Sequence, residues 1–156
     1  MSTWRFFVTI IRYILKGLNF LTPLFDLAAR CWVAYAFFRA GVLKLLDWPG
    51  TLTLFENEFQ VPLLPSNWAA VLGTGAELIL PILLVIGLGG RMTTLIFFIY
   101  NLIAVISYPF LWTPDGGQAL AQHINWGLLL GLLMCHGSGK LSLDYWIRKK
   151  YGERCC

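Results

Sequence analysis

Arg39 and Glu77 are opposite charges inside two consecutive apolar stretches, each long enough to cross a bilayer. A charge at the bilayer centre costs roughly 3 kcal/mol on insertion scales, so a retained one predicts a partner or a purpose. Counted from the outer ends of their stretches, the two residues lie at depths that differ by only about 3 Å at helical rise. The spacing predicts a structural ion pair, Arg39–Glu77, that ties the first two spans together. Pro81 adds to this expectation. Its ring nitrogen cannot donate to the carbonyl four residues back, which belongs to Glu77, and Arg39 has spare N–H groups to supply. Lys44, Asn101, Tyr108 and His123 also fall in the outer halves of their stretches. With Arg39 and Glu77 they make a candidate pocket, open to the outside, for a small amphipathic ligand such as a quinone headgroup. The same side chains would also serve as a buried polar network that fixes helix register. Lys44, near the mouth, has the further option of snorkelling to lipid headgroups.

Other chemistries fail on ligand arithmetic. His123 and His136 are the only histidines and lie about 20 Å apart on one helix, too far to ligate a haem together. Glu77 is the sole mid-span carboxylate, where a di-iron site needs several. Cys31, Cys135, Cys155 and Cys156 form no C-x-x-C pair, so neither a thiol relay nor a zinc motif is indicated. Walker, dinucleotide and nucleophile-elbow signatures are absent. No catalytic residue, metal site or covalently held cofactor is expected in this chain, and whether it belongs to an enzyme stays open.

The elements that must carry these residues follow from composition. Of 156 residues, 58% are hydrophobic and 13% charged, against about 25% charged in soluble domains. Lipid must cover the surplus apolar surface. The fold class expected is all-α integral membrane, a four-transmembrane-helix bundle with an N-terminal amphipathic interfacial helix. The spans are predicted at 27–46, 68–88, 92–112 and 119–136, within a membrane domain of residues 23–138. Gly89-Gly90-Arg91 reads as a tight turn that makes spans two and three a hairpin. In the outer loop, 47–67, Leu52, Phe55 and Phe59 recur at helical spacing and predict a short amphipathic helix, with Ser66 or Asn67 capping the span that follows. Gly127 and Gly131 form a GxxxG, read as close packing within the bundle more than as a dimer face.

Basic residues sort by side. Arg5, Arg12, Lys16 and Arg30 precede or begin span one, Arg91 lies in the middle turn, and Lys140, Arg148, Lys149, Lys150 and Arg154 occupy the tail. The outer loops carry acidic residues only. The positive-inside rule then puts both termini in the cytoplasm. Residues 1–22 place Arg5, Thr9, Arg12, Lys16 and Asn19 on one stripe, as expected of a basic helix lying in the membrane plane. The basic tail, 139–156, is expected to do the same. Anionic headgroups are the partners both imply; the +4 net charge is not taken as a nucleic-acid signal.

Several runs together carry a family resemblance: Arg39-Ala-Gly-Val-Leu-Lys44-Leu-Leu-Asp-Trp48, Phe55-Glu-Asn-Glu58 with Val61-Pro-Leu-Leu-Pro65, Ala76-Glu77-Leu78 with Pro81, Asn101 to Pro109, and His136-Gly-Ser-Gly-Lys140 to Asp144. Over roughly residues 25–145 the chain resembles the bacterial DoxX family of small four-helix inner-membrane proteins. The family takes its name from similarity to a subunit of an archaeal thiosulfate:quinone oxidoreductase, and some members are linked to membrane oxidoreductase complexes. The resemblance implies bacterial origin, the inner membrane, and an accessory or scaffold subunit beside redox-complex partners, facing quinone. Two alternatives stand next to it: a small transporter or lipid-handling protein, which four spans would require to be a homo-oligomer, and a structural membrane protein without ligand.

Overall fold

The computed structural model describes residues 2–137 and 139–152, with side chains from Phe7 onward. The side chains of Trp4 and Arg5, together with Ser138, Arg154, Cys155 and Cys156, lie outside that set. The described residues form six α-helices and no strands: α1 Ser2–Leu46, α2 Trp48–Asn57, α3 Ser66–Ile86, α4 Gly90–Ser107, α5 Gly117–His136 and α6 Leu143–Tyr151. One turn of 3₁₀ helix, Pro109–Trp112, follows α4. Helix α1 packs chiefly on α3, and α4 chiefly on α5; lighter α3–α4 and α1–α5 contacts close the ring into a four-helix bundle. Its core is Val33, Phe37, Leu84, Phe97, Leu130 and Leu133.

Among the described residues, three helical segments are long and apolar enough to cross a membrane: Phe7–Leu46, Ser66–Ile86 and Gly90–Ser107. Helix α5 has the length, but Gln118, Gln122, His123 and Asn125 dilute its first half.

The division expected at residue 22 is replaced by one continuous 45-residue helix. Pro23 lies inside it, and strong helix formers on both sides, among them Leu18, Leu21, Leu24 and Leu27, carry the helix through the lost hydrogen bond. At about 1.5 Å per residue α1 is about 68 Å long, more than twice the hydrocarbon thickness of a bilayer.

The loop between α1 and α3 does hold the short helix α2. Asp47 caps it by accepting from the Gly50 N–H at 3.1 Å, and the Thr51 hydroxyl donates to the Lys44 carbonyl at 2.8 Å, which fixes α2 against the end of α1. The cap expected from Ser66 or Asn67 is not made. Pro65 is the N-cap of α3 and offers no side-chain bond. The hairpin turn between α3 and α4 forms, but at residues 87–89 instead of 89–91: Gly87 and Gly89 have φ 70° and 75°, where a side chain would be strained, and Gly90 and Arg91 already belong to α4. Of the two GxxxG residues, Gly127 is buried against Asn101 of α4, while a Cβ at Gly131 would meet nothing.

Candidate functional site

A cavity of about 630 Å³ opens between the bundle and α2. It exists because the helices face each other there with small residues: Ala36, Ala40, Ala69, Gly73, Ala76 and Ala104 all line it. Larger side chains close it. Phe37 is buried in the floor with its ring edge-on to Phe97 and Trp126, at centroid distances of 4.8 and 5.0 Å. At the mouth, Phe55, Phe59 and Tyr108 stack in series, each pair 4.6 Å apart and nearly parallel. Tyr108 caps the end of α4 in extended conformation, and its hydroxyl donates to Glu58 Oε2 at 2.9 Å.

The polar cluster on the wall centres on Glu77, which is 6% exposed. Its partner is not Arg39 but Lys44, whose Nζ donates to Oε1 at 2.5 Å. The same ammonium lies 5.8 Å from the centroids of both Phe55 and Phe59. Tyr100, absent from the expected set, places its hydroxyl 3.1 Å from Glu77 Oε1 and 3.1 Å from the Gly73 carbonyl. Glu77 Oε2 is buried with no hydrogen-bond partner among the described residues.

The helical wheel accounts for the exchange of partners. Val33, Phe37, Ala40 and Lys44 repeat at four, three and four and share the inward face of α1. Trp32, Tyr35, Arg39, Leu43 and Leu46 form the opposite stripe and are exposed. Gly41 sets the distance: a Cβ there would sit 2.9 Å from the Glu77 Cβ, so α1 and α3 touch backbone to side chain at this level. Lys44, just under one turn further on, is thereby delivered to the carboxylate. Arg39 points the other way, makes no ion pair among the described residues and cannot serve the carbonyl that Pro81 frees. Lys44 turns inward and does not snorkel.

His123 and Asn101 meet as a second unit. Asn101 Nδ2 donates to the His123 carbonyl at 3.0 Å, which turns its Oδ1 to the ring Nδ1 at 2.9 Å. Nδ1 therefore carries the proton, and Nε2 is the nitrogen left as an acceptor. His123 lines the cavity, whereas Asn101 is buried behind it between α4 and α5. Of the six expected pocket residues, Lys44, Glu77, Tyr108 and His123 line the space, Asn101 supports it, and Arg39 is outside. Tyr100 was legible only as the residue four before Ala104 and eight before Tyr108, on the cavity face of α4.

The family model described as DoxX matches residues 25–109. The chain belongs to the DoxX family. A protein of Haemophilus influenzae described as uncharacterized is 32% identical over 136 residues, covering 80% of this chain and 84% of its own. No solved structure gives a significant match. The DoxX match runs from the inner part of α1 to the end of α4 and includes Lys44, Glu77, Tyr100, Asn101 and Tyr108, while His123 on α5 falls beyond it.

Proposed function

We propose that this DoxX protein is an accessory subunit of a membrane oxidoreductase complex and that its cavity receives the headgroup of a quinol, the redox centres residing in other chains. The supporting observation is the pairing of an apolar chamber of about 630 Å³ with an orphaned acceptor, Glu77 Oε2, on its wall. Ligand pockets combine such apolar lining with few placed polar groups. The free acceptors, Oε2 and His123 Nε2, suit a ligand that donates, as a quinol hydroxyl does. A quinone carbonyl would have to compete for Lys44 and Tyr100, which already serve Glu77. The ring would lie among Phe37, Trp126 and the Phe55–Phe59–Tyr108 stack, with its chain leaving toward lipid. The ligand's own chemistry is two-electron, two-proton exchange; the residues named hold and orient it and accept its hydrogen bonds.

In the same reading, α5 is the fourth span. Its exposed stripe of Ile124, Leu128 and Leu132 faces lipid, and the basic turn and tail lie on the cytoplasmic side of the bacterial inner membrane, both termini inside. The test is solvent extraction of protein purified from quinone-containing membranes, followed by chromatography. Wild type should carry quinone or quinol, and Glu77→Gln should lower affinity roughly tenfold or more, the effect of losing a hydrogen bond to a charged group. Wild type with no bound quinone, and no quinone-dependent change in Trp126 fluorescence, would sink the proposal.

A further inference from the structure

At the opposite end of the bundle a second cavity, about 610 Å³, is lined by four basic side chains from separate elements: Arg91 at the start of α4, His136 at the end of α5, Lys140 in the following turn and Arg148 on α6. We infer that this cavity binds the phosphate of an anionic phospholipid headgroup.

The fold brings these groups together through the docking of α6. Asp144 N–H donates to the Gly87 carbonyl at 3.3 Å, and Asp144 Oδ1 accepts from Gly89 N–H at 3.2 Å. Asp144 is the single carboxylate among the described residues that line the cavity, and Asp26 lies beside it, 3.9 Å from His136 Nδ1; the three Lys and Arg side chains outnumber them. Ser142 caps α6 by accepting from Tyr145 N–H at 3.2 Å. The tail is thus fixed to the α3–α4 turn by specific bonds, and two of its cations, Lys140 and Arg148, are brought to one space. Arg91 is held from behind, its Nη2 donating to the Cys135 carbonyl at 3.2 Å. Helix α4 also begins here, with a glycine N-cap and no acidic residue in its own first turn; the carboxylate at its N-terminus is Asp144, which takes up the helix dipole and leaves Arg91, Lys140 and Arg148 as the charges that face the cavity.

A lipid is favoured over a free anion by what adjoins the cavity. Met92 lines it and begins an exposed apolar stripe, Met92, Ile96, Ile99 and Ile103, that runs along α4. Beside it, α6 presents exposed Leu143, Trp146 and Ile147. A headgroup in the cavity would lay its acyl chains along that stripe, with Trp146 at headgroup level. Basic pockets between spans on the cytoplasmic side are a recurrent setting for such headgroups. The inference rests on α3 and α4 crossing the bilayer but not on the quinol reading of the outer cavity.

The experiment is native mass spectrometry of the full-length protein released from nanodiscs of phosphatidylethanolamine containing phosphatidylglycerol or cardiolipin. Wild type should retain the anionic lipid. The triple variant Arg91→Gln, Lys140→Gln, Arg148→Gln should retain it at least about tenfold less, given roughly one unit of favourable interaction per basic residue. Arg148→Gln alone, on an exposed side chain, should give a smaller loss in the same direction and guards against misfolding of the triple variant. Arg12→Gln with Lys16→Gln, on the distant half of α1 and outside the cavity, removes surface attraction alone and should cost clearly less than the triple variant. Equal loss from the Arg12 and Lys16 variant would show unspecific surface attraction and overturn the site. So would full retention by the triple variant. Displacement of the lipid by millimolar inorganic phosphate would overturn the assignment to lipid in favour of a free anion. Because the outer cavity is untouched by all these variants, quinone retention measured in parallel separates failure here from failure there.

Discussion

Replacing Lys44 tests the central electrostatic claim. The Lys44 side chain is 17% exposed and that of Glu77 8%, with Nζ and Oε1 at 2.5 Å. Lys44→Met keeps the length of the stem but leaves the carboxylate facing Phe55, Phe59 and the cavity with only Tyr100 to donate. Removing one member of a buried ion pair costs about 3–5 kcal/mol. Partial access of water to Lys44 argues for the lower end, about 3 kcal/mol, or roughly two orders of magnitude in the folding equilibrium. The double variant Lys44→Met, Glu77→Leu removes the uncompensated charge and should recover most of that loss. Arg39→Leu, on the exposed stripe, should stay within about 0.5 kcal/mol of wild type. Reversible unfolding of the purified protein in mixed micelles, run as a double-mutant cycle, measures all four. Should Arg39→Leu prove as damaging as Lys44→Met, or the double variant fail to recover, the partner assignment would be wrong.

Two further outcomes follow from the same geometry. Gly41→Val places methyl groups where a Cβ already lies 2.9 Å from Glu77 and 3.1 Å from Leu78, so it should separate α1 from α3 and lower stability by about 1–3 kcal/mol, while Gly131→Ala, with open space around it, should be neutral in the same unfolding assay. Burial first, and then the hydrogen bond and charge of Glu58, raise the Tyr108 phenol above its ordinary value. Its contribution is therefore fully present below the usual tyrosine range, about pH 10, and is lost as pH rises through the raised value; Tyr108→Phe should remove that alkaline step from a plot of unfolding midpoint against pH.

The bundle was legible because apolar runs of bilayer length leave few other folds available. Helix α2 could be read from Leu52, Phe55 and Phe59, and the α3–α4 turn from its glycines. What escaped sequence reading involved direction around a helix. Arg39 and Glu77 were matched by depth and by the carbonyl that Pro81 frees, and both criteria are blind to the helical wheel. Arg39 and Lys44 are five residues apart, about 140° around the axis, so only one of them can face α3. The buried stripe Val33–Phe37–Ala40 selects Lys44, and Gly41 beside Glu77 confirms which face of α1 is in contact. Tyr100 escaped for a related reason: next to the more polar Asn101 it looked like ordinary apolar filling. The break at residue 22 was drawn from the polar stripe of residues 1–22, which does not show where the helix that carries it ends; Pro23 costs α1 one hydrogen bond without ending it.

The two polar units of the cavity beneath α2 have different degrees of freedom, and this bears on what the cavity can do. Asn101 and His123 hold one another through two hydrogen bonds between α4 and α5, so the orientation of the imidazole belongs to the bundle. Lys44 is the third residue from the C-terminal end of α1, and its carbonyl is tied to Thr51 of α2. Its ammonium lies against both Phe55 and Phe59. Any displacement of α2 that opens the mouth must therefore disturb the aromatic stack and the Lys44–Glu77 pair together. A ligand that entered by lifting α2 would meet a carboxylate whose partner is being drawn away, and a donor group on that ligand would then be worth most to Glu77 Oε2. In the proposed reading admission and recognition are coupled through Lys44, and the cavity should then discriminate for ligands that donate a hydrogen bond over equally apolar ones that only accept.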